Sequence, residues 1–262
     1  MQPIEIRQER PEDYREVEEL TREAFWGLNH PDCDEHLLAH KLRQSPGFVP
    51  ELDLVALDSG KIIGNVMFSL GKVVDDHGKE TTVLNFGPLS VLPDYQNKGV
   101  GKALLKHAIT KARELGYRGI LFFGHPDYYP RLGFRRAGEF GITTRGGSNF
   151  DAFMAMPLYD NAFEGVTGRF HEDEAFDLEP EEVSEFDKKF PPKAKRVLTS
   201  AETLLERLAS PAQEALKSRN IKNLVDLRRY SQREITAWPG ISPKSVQMIC
   251  TALKEDGYFW GE

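Results

Sequence analysis

The sequence predicts a mixed α/β (α+β) domain, a sheet flanked by helices, followed by a small all-helical unit. Three observations lead there. Two strand-like runs, residues 52–57 and 61–73, are joined by Asp58-Ser59-Gly60, which has hairpin-turn composition. A strand, a glycine-containing turn, an amphipathic helix and a second strand then follow one another over residues 81–123, which makes one βαβ crossover. Beyond Pro191-Pro192 the apolar residues keep only helical spacing.

Taken in order, Ile4-Glu5-Ile6 opens as a strand. Pro11-Glu12-Asp13 then starts a helix with Tyr14, Val17, Leu20, Ala24 and Phe25 on one face. A second helix is expected over 34–43, after Pro31. The turn Asp75-Asp76-His77-Gly78-Lys79 leads into the strand 81–92, and the helix 103–115 follows. Gly116 turns the chain into the strand 119–123. A short Tyr-rich helix and strands near Phe134 and over 152–158 complete the sheet. Residues 159–190 hold three basic and eleven acidic residues, which would suit a solvated tail. Phe163, Val166, Phe170, Phe176, Leu178, Val183 and Phe186 make it too apolar for that, so residues 158–190 are expected to extend the first domain. Pro191-Pro192-Lys193 is the natural boundary. It divides the chain into 1–192 and 193–262. In the second part Leu204, Leu205, Leu208, Leu216, Ile221, Leu224, Leu227, Ile235, Val246, Ile249 and Leu253 form short helical patterns.

Composition narrows the function classes. No apolar stretch approaches the length of a membrane span, and Met1-Gln2-Pro3-Ile4-Glu5 carries no signal-peptide pattern. Cys33 and Cys250 are isolated and offer no disulfide framework, which suits a reducing, cytoplasmic setting. A net charge of −7 argues against a wholesale nucleic-acid coat. That average hides a mildly basic end, since residues 193–262 carry twelve basic and eight acidic side chains.

The chemistry concentrates in Gln96-Asn97-Lys98-Gly99-Val100-Gly101-Lys102. A turn between a strand and a helix start presents orphan amides and the positive end of the helix dipole, a ready anion site. Gly99 and Gly101 let a phosphate approach the backbone, and Lys98 and Lys102 add charge. A Walker A loop is excluded by Ala103 after Gly101-Lys102, and the dinucleotide fingerprint is only partly present. The run matches Q/R-x-x-G-x-G/A instead. Two glycines before a helix are also a common helix entry. Here, however, Gly87-Pro88-Leu89-Ser90-Val91-Leu92-Pro93-Asp94-Tyr95 precedes the run and Tyr129-Pro130-Arg131-Leu132-Gly133-Phe134 follows it. On these three segments the chain resembles the GCN5-related N-acetyltransferase (GNAT) superfamily over residues 1–190. Cys33-Asp34-Glu35-His36 and the ending Glu185-Phe186-Asp187-Lys188-Lys189-Phe190-Pro191-Pro192-Lys193 are similar to one bacterial subgroup.

The resemblance implies a mixed, mostly antiparallel sheet splayed at its central strands. It also implies acetyl transfer from acetyl-CoA to an amine by direct attack in a ternary complex. Residues Gln96, Asn97, Lys98, Gly99, Val100, Gly101 and Lys102 would hold the pyrophosphate. Leu89, Ser90 and Val91 would lie along the pantetheine arm, with the amide of Leu89 or Val91 donating to the thioester oxygen. Tyr129 would be the general acid, since an ordinary tyrosine is protonated at neutral pH; Tyr128 is its competitor. Glu80 stands at the strand start, far from the other site residues, while Asp127 and His125 could relay a proton through water, Asp127 also being placed to cap the helix after it; the sequence assigns no base. Trp26, Asn29 and His30 would line the acceptor pocket. His30, Cys33, His36 and His40 have metal-like spacing, but this transfer needs no metal and none is expected.

Residues 208–257, with the hairpin Trp238-Pro239-Gly240-Ile241-Ser242-Pro243-Lys244-Ser245, resemble the helix–hairpin–helix C-terminal domain of the bacterial RNA polymerase α subunit. Lys244 and Ser245 match DNA-facing positions. Pro211 and Glu214 replace that domain's groove-reading arginine and a contacting asparagine. Arg219, Lys222, Arg228, Arg229 and Arg233 would form a basic face or a solvated one. The expected partner is therefore a small-molecule or protein amine, with nucleic acid through 193–262 and a homodimer left open. A non-catalytic acyl-CoA-binding regulator and another donor such as succinyl-CoA are the alternatives.

Overall fold

The computed structural model describes residues 4–27, 33–126, 128–194, 208–221 and 224–255. Among these, one nine-stranded sheet dominates: β1 (Glu5–Gln8), β2 (Leu54–Asp58), β3 (Lys61–Val74), β4 (Glu80–Val91), β5 (Gly119–Phe123), β6 (Arg135–Arg136), β7 (Ile142–Thr143), β8 (Phe153–Pro157) and β9 (Gly168–His171). The order is β1-β2-β3-β4-β5-β8-β6, and β9 pairs with the end of β3 and carries β7. All pairs are antiparallel except β4–β5 and β7–β9.

Alternation along the strands decides which helix each face receives. Leu54, Ala56, Val66, Phe68, Leu84 and Phe86 meet Leu104, Leu105, Ala108 and Ile109 of α3 (Val100–Glu114). Val55, Leu57 and Ile62 point the other way and take Val17 and Leu20 of α1 (Tyr14–Phe25). Met67 shares that second face and packs on Leu38, Ala39 and Leu42 of α2 (Glu35–Leu42). Helix α3 ends as its sequence requires. Lys111 and Arg113 complement the dipole, and Gly116, at φ 79°, turns the chain so that its N–H and that of Tyr117 donate to the carbonyls of Arg113 and Ala112.

Two irregularities in β4 shape the centre. Val66 pairs with Leu89 but Phe68 with Phe86, so Gly87 and Pro88 together stand opposite Met67 as a bulge. β4 and β5 share one register pair, Leu84 with Ile120, while β4 runs on to Val91. The sheet opens there, as the expected splay requires.

The acidic segment folds onto the first body. Its β9 joins the sheet, and α4 (Pro180–Asp187) places Asp187 against α1 and α2. The Asp187 carboxylate accepts from Arg22 Nε at 2.6 Å and Nη2 at 3.1 Å, and lies 3.2 Å from His36 Nε2. Burial holds His36 mainly neutral, pushing it down to about 4. Neither β9 nor α4 was specified from sequence beyond the general expectation of an extension. The Tyr-rich helix is a single 3₁₀ turn, Tyr129–Leu132, because Gly133 at φ 95° stops it at once.

The helical unit comprises α5 (Ser210–Lys217), α6 (Leu224–Leu227), α7 (Gln232–Ala237) and α8 (Pro243–Glu255), closed around Leu208, Leu216, Leu227, Ile235, Ile249 and Leu253. Ser231 and Glu234 cap α7 reciprocally. In the hairpin, Gly240 has φ 90°, and a Cβ there would stand 2.5 Å from the Pro211 carbonyl, so only glycine fits. Of the two alternatives for the arginines, a continuous basic face is not formed among the described residues, because Arg228 is buried and Arg219 stacks on Trp238 at 4.6 Å. Ser245 is buried with its hydroxyl on that of Ser242, 2.9 Å away, while Lys244 is exposed. Leu204, Leu205 and Lys222 lie outside the described residues.

Candidate active site

The bulge is what brings the site together. Strict alternation from Leu84 and Phe86 would send residue 90 to the α3 face; the extra residue reverses the phase. Leu89 and Val91 therefore face the N-terminus of α3, with Val91 Cγ2 3.5 Å and Leu89 Cδ2 3.8 Å from the position of a Cβ on Gly101. Ser90 faces α1 instead, fully buried, with its hydroxyl 2.9 Å from that of Thr21. Its side chain is thus a strut between β4 and α1 and does not line the cofactor groove expected for it.

After Val91 the chain makes a 3₁₀ turn, Pro93–Tyr95, and reaches the glycine-containing run. Gln96 Nε2 donates to the Val91 carbonyl at 3.0 Å, and Tyr95 donates to Asp58 at 3.3 Å, fastening the turn to the β2–β3 hairpin. Asn97 (φ 58°) and Gly99 (φ 86°) are both left-handed, and Gly99 is the N-cap of α3. No acidic residue occupies the first turn of α3, and Lys98 and Lys102 are exposed beside it. Val100 is the exception in the run, its side chain buried in the core. A groove of about 430 Å³ runs from this turn between the end of α1 (Ala24, Phe25) and Leu89, Val91 and Gly101, as far as Tyr128. It can hold an extended chain along the strand with a polyanion at the helix start.

Tyr129 is half-buried where the strands part. Its ring packs edge-on to Phe122 of β5 at 4.5 Å and to Phe86 of β4 at 5.8 Å. Gly124 makes room for it, since a Cβ there would lie 2.4 Å from Tyr129 Cε2. Burial drives its hydroxyl well above the ordinary tyrosine range, so it stays protonated. Tyr128 is the more exposed of the two and borders the groove.

Trp26 is engaged by the residues just after Pro191-Pro192 and by its own helix: its indole N–H donates to the Ala194 carbonyl at 2.9 Å, and Lys193 and Arg22 of α1 lie over its ring at 5.3 and 4.3 Å. That occupies the ring expected in an acceptor pocket. Asn29, His30 and Asp127 lie outside the described residues. Glu80 sits at the far end of β4 from Val91, paired with Lys72 at 2.6 Å. His125 lies between β5 and the tyrosines, its carbonyl accepting from the amide of Tyr128 at 3.1 Å. Cys33 lies 3.4 Å from His36 Nδ1, and His40 lies 2.9 Å from Glu18, so these side chains have partners within the fold. Among the described residues no group of three or more His, Cys, Asp or Glu is placed to hold a metal ion.

One polar pair was not anticipated. Asn85 of β4, fully buried, donates to Glu172 Oε1 at 3.1 Å, and burial raises the Glu172 carboxyl. Glu172 follows β9 directly, and in the sequence it is one of many acidic residues in its segment.

Comparison with known proteins agrees with this geometry. Residues 9–134 match the model of the acetyltransferase (GNAT) family. The uncharacterised N-acetyltransferase YhbS of Escherichia coli (strain K12) is 34% identical over 170 residues, covering 64% of this chain and 96% of YhbS. The crystal structure of Escherichia coli YhbS, solved in complex with CoA, is similar with a TM-score of 0.60 and 29% identity, over 68% of this chain and 96% of that one. A GNAT acetyltransferase from Brucella melitensis, solved with acetyl-CoA, is similar with a TM-score of 0.55 and 27% identity, over 67% and 99% of the two chains. The splayed sheet, the glycine turn at the start of α3 and these relatives agree: the chain belongs to the GNAT family and is an N-acetyltransferase.

Proposed function

We propose that the protein transfers the acetyl group of acetyl-CoA to an amine by direct attack within a ternary complex. The observation that carries the reading is the groove along Leu89 and Val91, which ends at the exposed, acid-free start of α3. In it, backbone amides of the Gln96–Lys102 turn hold the pyrophosphate, with Lys98 and Lys102 alongside. The pantetheine arm lies on Leu89 and Val91, an amide of that strand polarises the thioester, and Tyr129 protonates the departing sulfur. The two similar crystal structures, one with CoA and one with acetyl-CoA, support the donor. Residues 1–192 form the catalytic domain in this reading. The helices described after Leu208 are read as an appended helix–hairpin–helix module; the burial of Arg228 speaks against a continuous nucleic-acid face on it.

A panel of alkylamines, polyamines, amino acids, aminoglycosides and peptide N-termini, followed by release of free CoA thiol, tests this. At least one amine should give saturable release more than about tenfold above the amine-free rate. Tight acetyl-CoA binding with no turnover of any amine would favour the regulator instead.

A further inference from the structure

The cofactor groove uses the residues of β4 that face α3, and the opposite face of the same strand carries a second set of groups. There Asn85 stands in register with Ser69 of β3, so their side chains are neighbours on one face. Both are buried, and Asn85 Oδ1 and Ser69 Oγ have no hydrogen-bond partner among the described residues. Buried oxygens left in that state are costly and call for a donor. The Asn85 amide is oriented by its bond to Glu172, which turns Nδ2 to the carboxylate and leaves Oδ1 over. The segment after Glu172 crosses the bulge: Phe176 Cε1 lies 3.5 Å from where a Cβ on Gly87 would be. Two unpartnered oxygens and a carboxylate thus gather beside the strand segment that leads to Leu89. A donor-only cation, such as a primary ammonium, is the class of group that suits a carboxylate beside such acceptors.

We propose that Glu172, held by Asn85, receives the ammonium of the acceptor and takes its first proton. This rests on the acetyl-transfer reading. The nitrogen loses two protons in all. The first passes to Glu172 and on to solvent, freeing the lone pair to attack the thioester carbonyl carbon. As the C–S bond breaks, Tyr129 gives its proton to the sulfur, and the second proton lost by the nitrogen restores Tyr129. Burial raises the proton affinity of Glu172, the Asn85 N–H opposes this, and Asp177 reinforces it; Ser69 and Asn85 are the neutral groups of β3 and β4 beside it. A carboxylate raised in this way is a better base at neutral pH.

Glu172→Gln keeps the shape and removes the base. Acetyl-CoA affinity should stay within about twofold, while kcat/KM for the amine that the wild-type protein turns over fastest should fall at least about a hundredfold at neutral pH. The deficit should shrink as the pH nears the pKa of the amine, where free amine needs no base. A second readout does not need turnover: in ¹³C-glutamate spectra the carboxyl resonance missing from Glu172→Gln should move with butylammonium chloride and not with sodium chloride. If that resonance responds although no amine is turned over, the ammonium site stands and the acetyl-transfer reading falls. A variant within about threefold of wild type with a parallel pH profile, or a resonance indifferent to butylammonium, overturns the proposal.

Discussion

Replacing Tyr129 by Phe is expected to lower kcat/KM about a hundredfold while leaving acetyl-CoA affinity and melting temperature nearly unchanged. The expectation follows from how the ring is held. Phe86, Phe122 and Phe134 surround it with centroids 4.5 to 5.8 Å away, and a phenylalanine keeps those edge-on contacts. Only the hydroxyl is lost. Burial raises its pKa, which by itself makes a poorer acid. A thiolate forming beside the same aromatic cluster would have its proton affinity raised by the same desolvation, which keeps the transfer matched. Tyr128 provides the control. Its ring borders the groove and is 37% exposed, so Tyr128→Phe should stay within about threefold of wild type. If the two variants exchange places in the kinetics, Tyr128 is the acid.

Asp187→Ala should lower stability through a buried charge left unpaired. Arg22, with a side chain only 5% exposed, would be left buried beside His36 without its carboxylate. Breaking a buried pair from one side costs about 3 kcal/mol, somewhat less here because Asp187 is itself 31% exposed. For a domain of this size that is a fall of roughly 5–10 °C in melting temperature. Asp187→Asn, which keeps an acceptor but not the charge, should fall between. A melting curve for Asp187→Ala within about 1 °C of wild type would show that the extension is not anchored through this contact.

Local signals were the ones the sequence displayed well. The glycine turn, the amphipathic stretch after it and the Asp58-Ser59-Gly60 turn each depend on neighbours in the chain, and each element forms, the helix beginning at Val100, three residues before the expected 103. Which face Ser90 takes depends on something that period-two counting does not contain. The Gly87-Pro88 bulge adds one residue on β4 opposite Met67 and so reverses every side chain beyond it. Trp26 illustrates a different limit, since the partner that covers it, Ala194, is 168 residues away. Glu172 was hidden for the same reason. One of eleven acidic residues between 159 and 190, it is distinguished only by its contact with Asn85, 87 residues earlier. Long-range pairing sorts such residues, and their own composition does not.

The central claim is that the CoA pyrophosphate sits on the amides at the start of α3. Gly101 offers the sharpest test, because a Cβ there makes only ordinary contacts, 3.5 Å at the nearest, with Val91 and Leu89. A larger side chain is therefore compatible with the fold but projects into the groove. Calorimetric titration of acetyl-CoA into wild-type protein and into Gly101→Phe compares the two directly. One saturable site in the wild type, weakened by at least about a hundredfold in a variant that melts normally, is the predicted result. Equal affinity in the two proteins would contradict it and place the cofactor elsewhere.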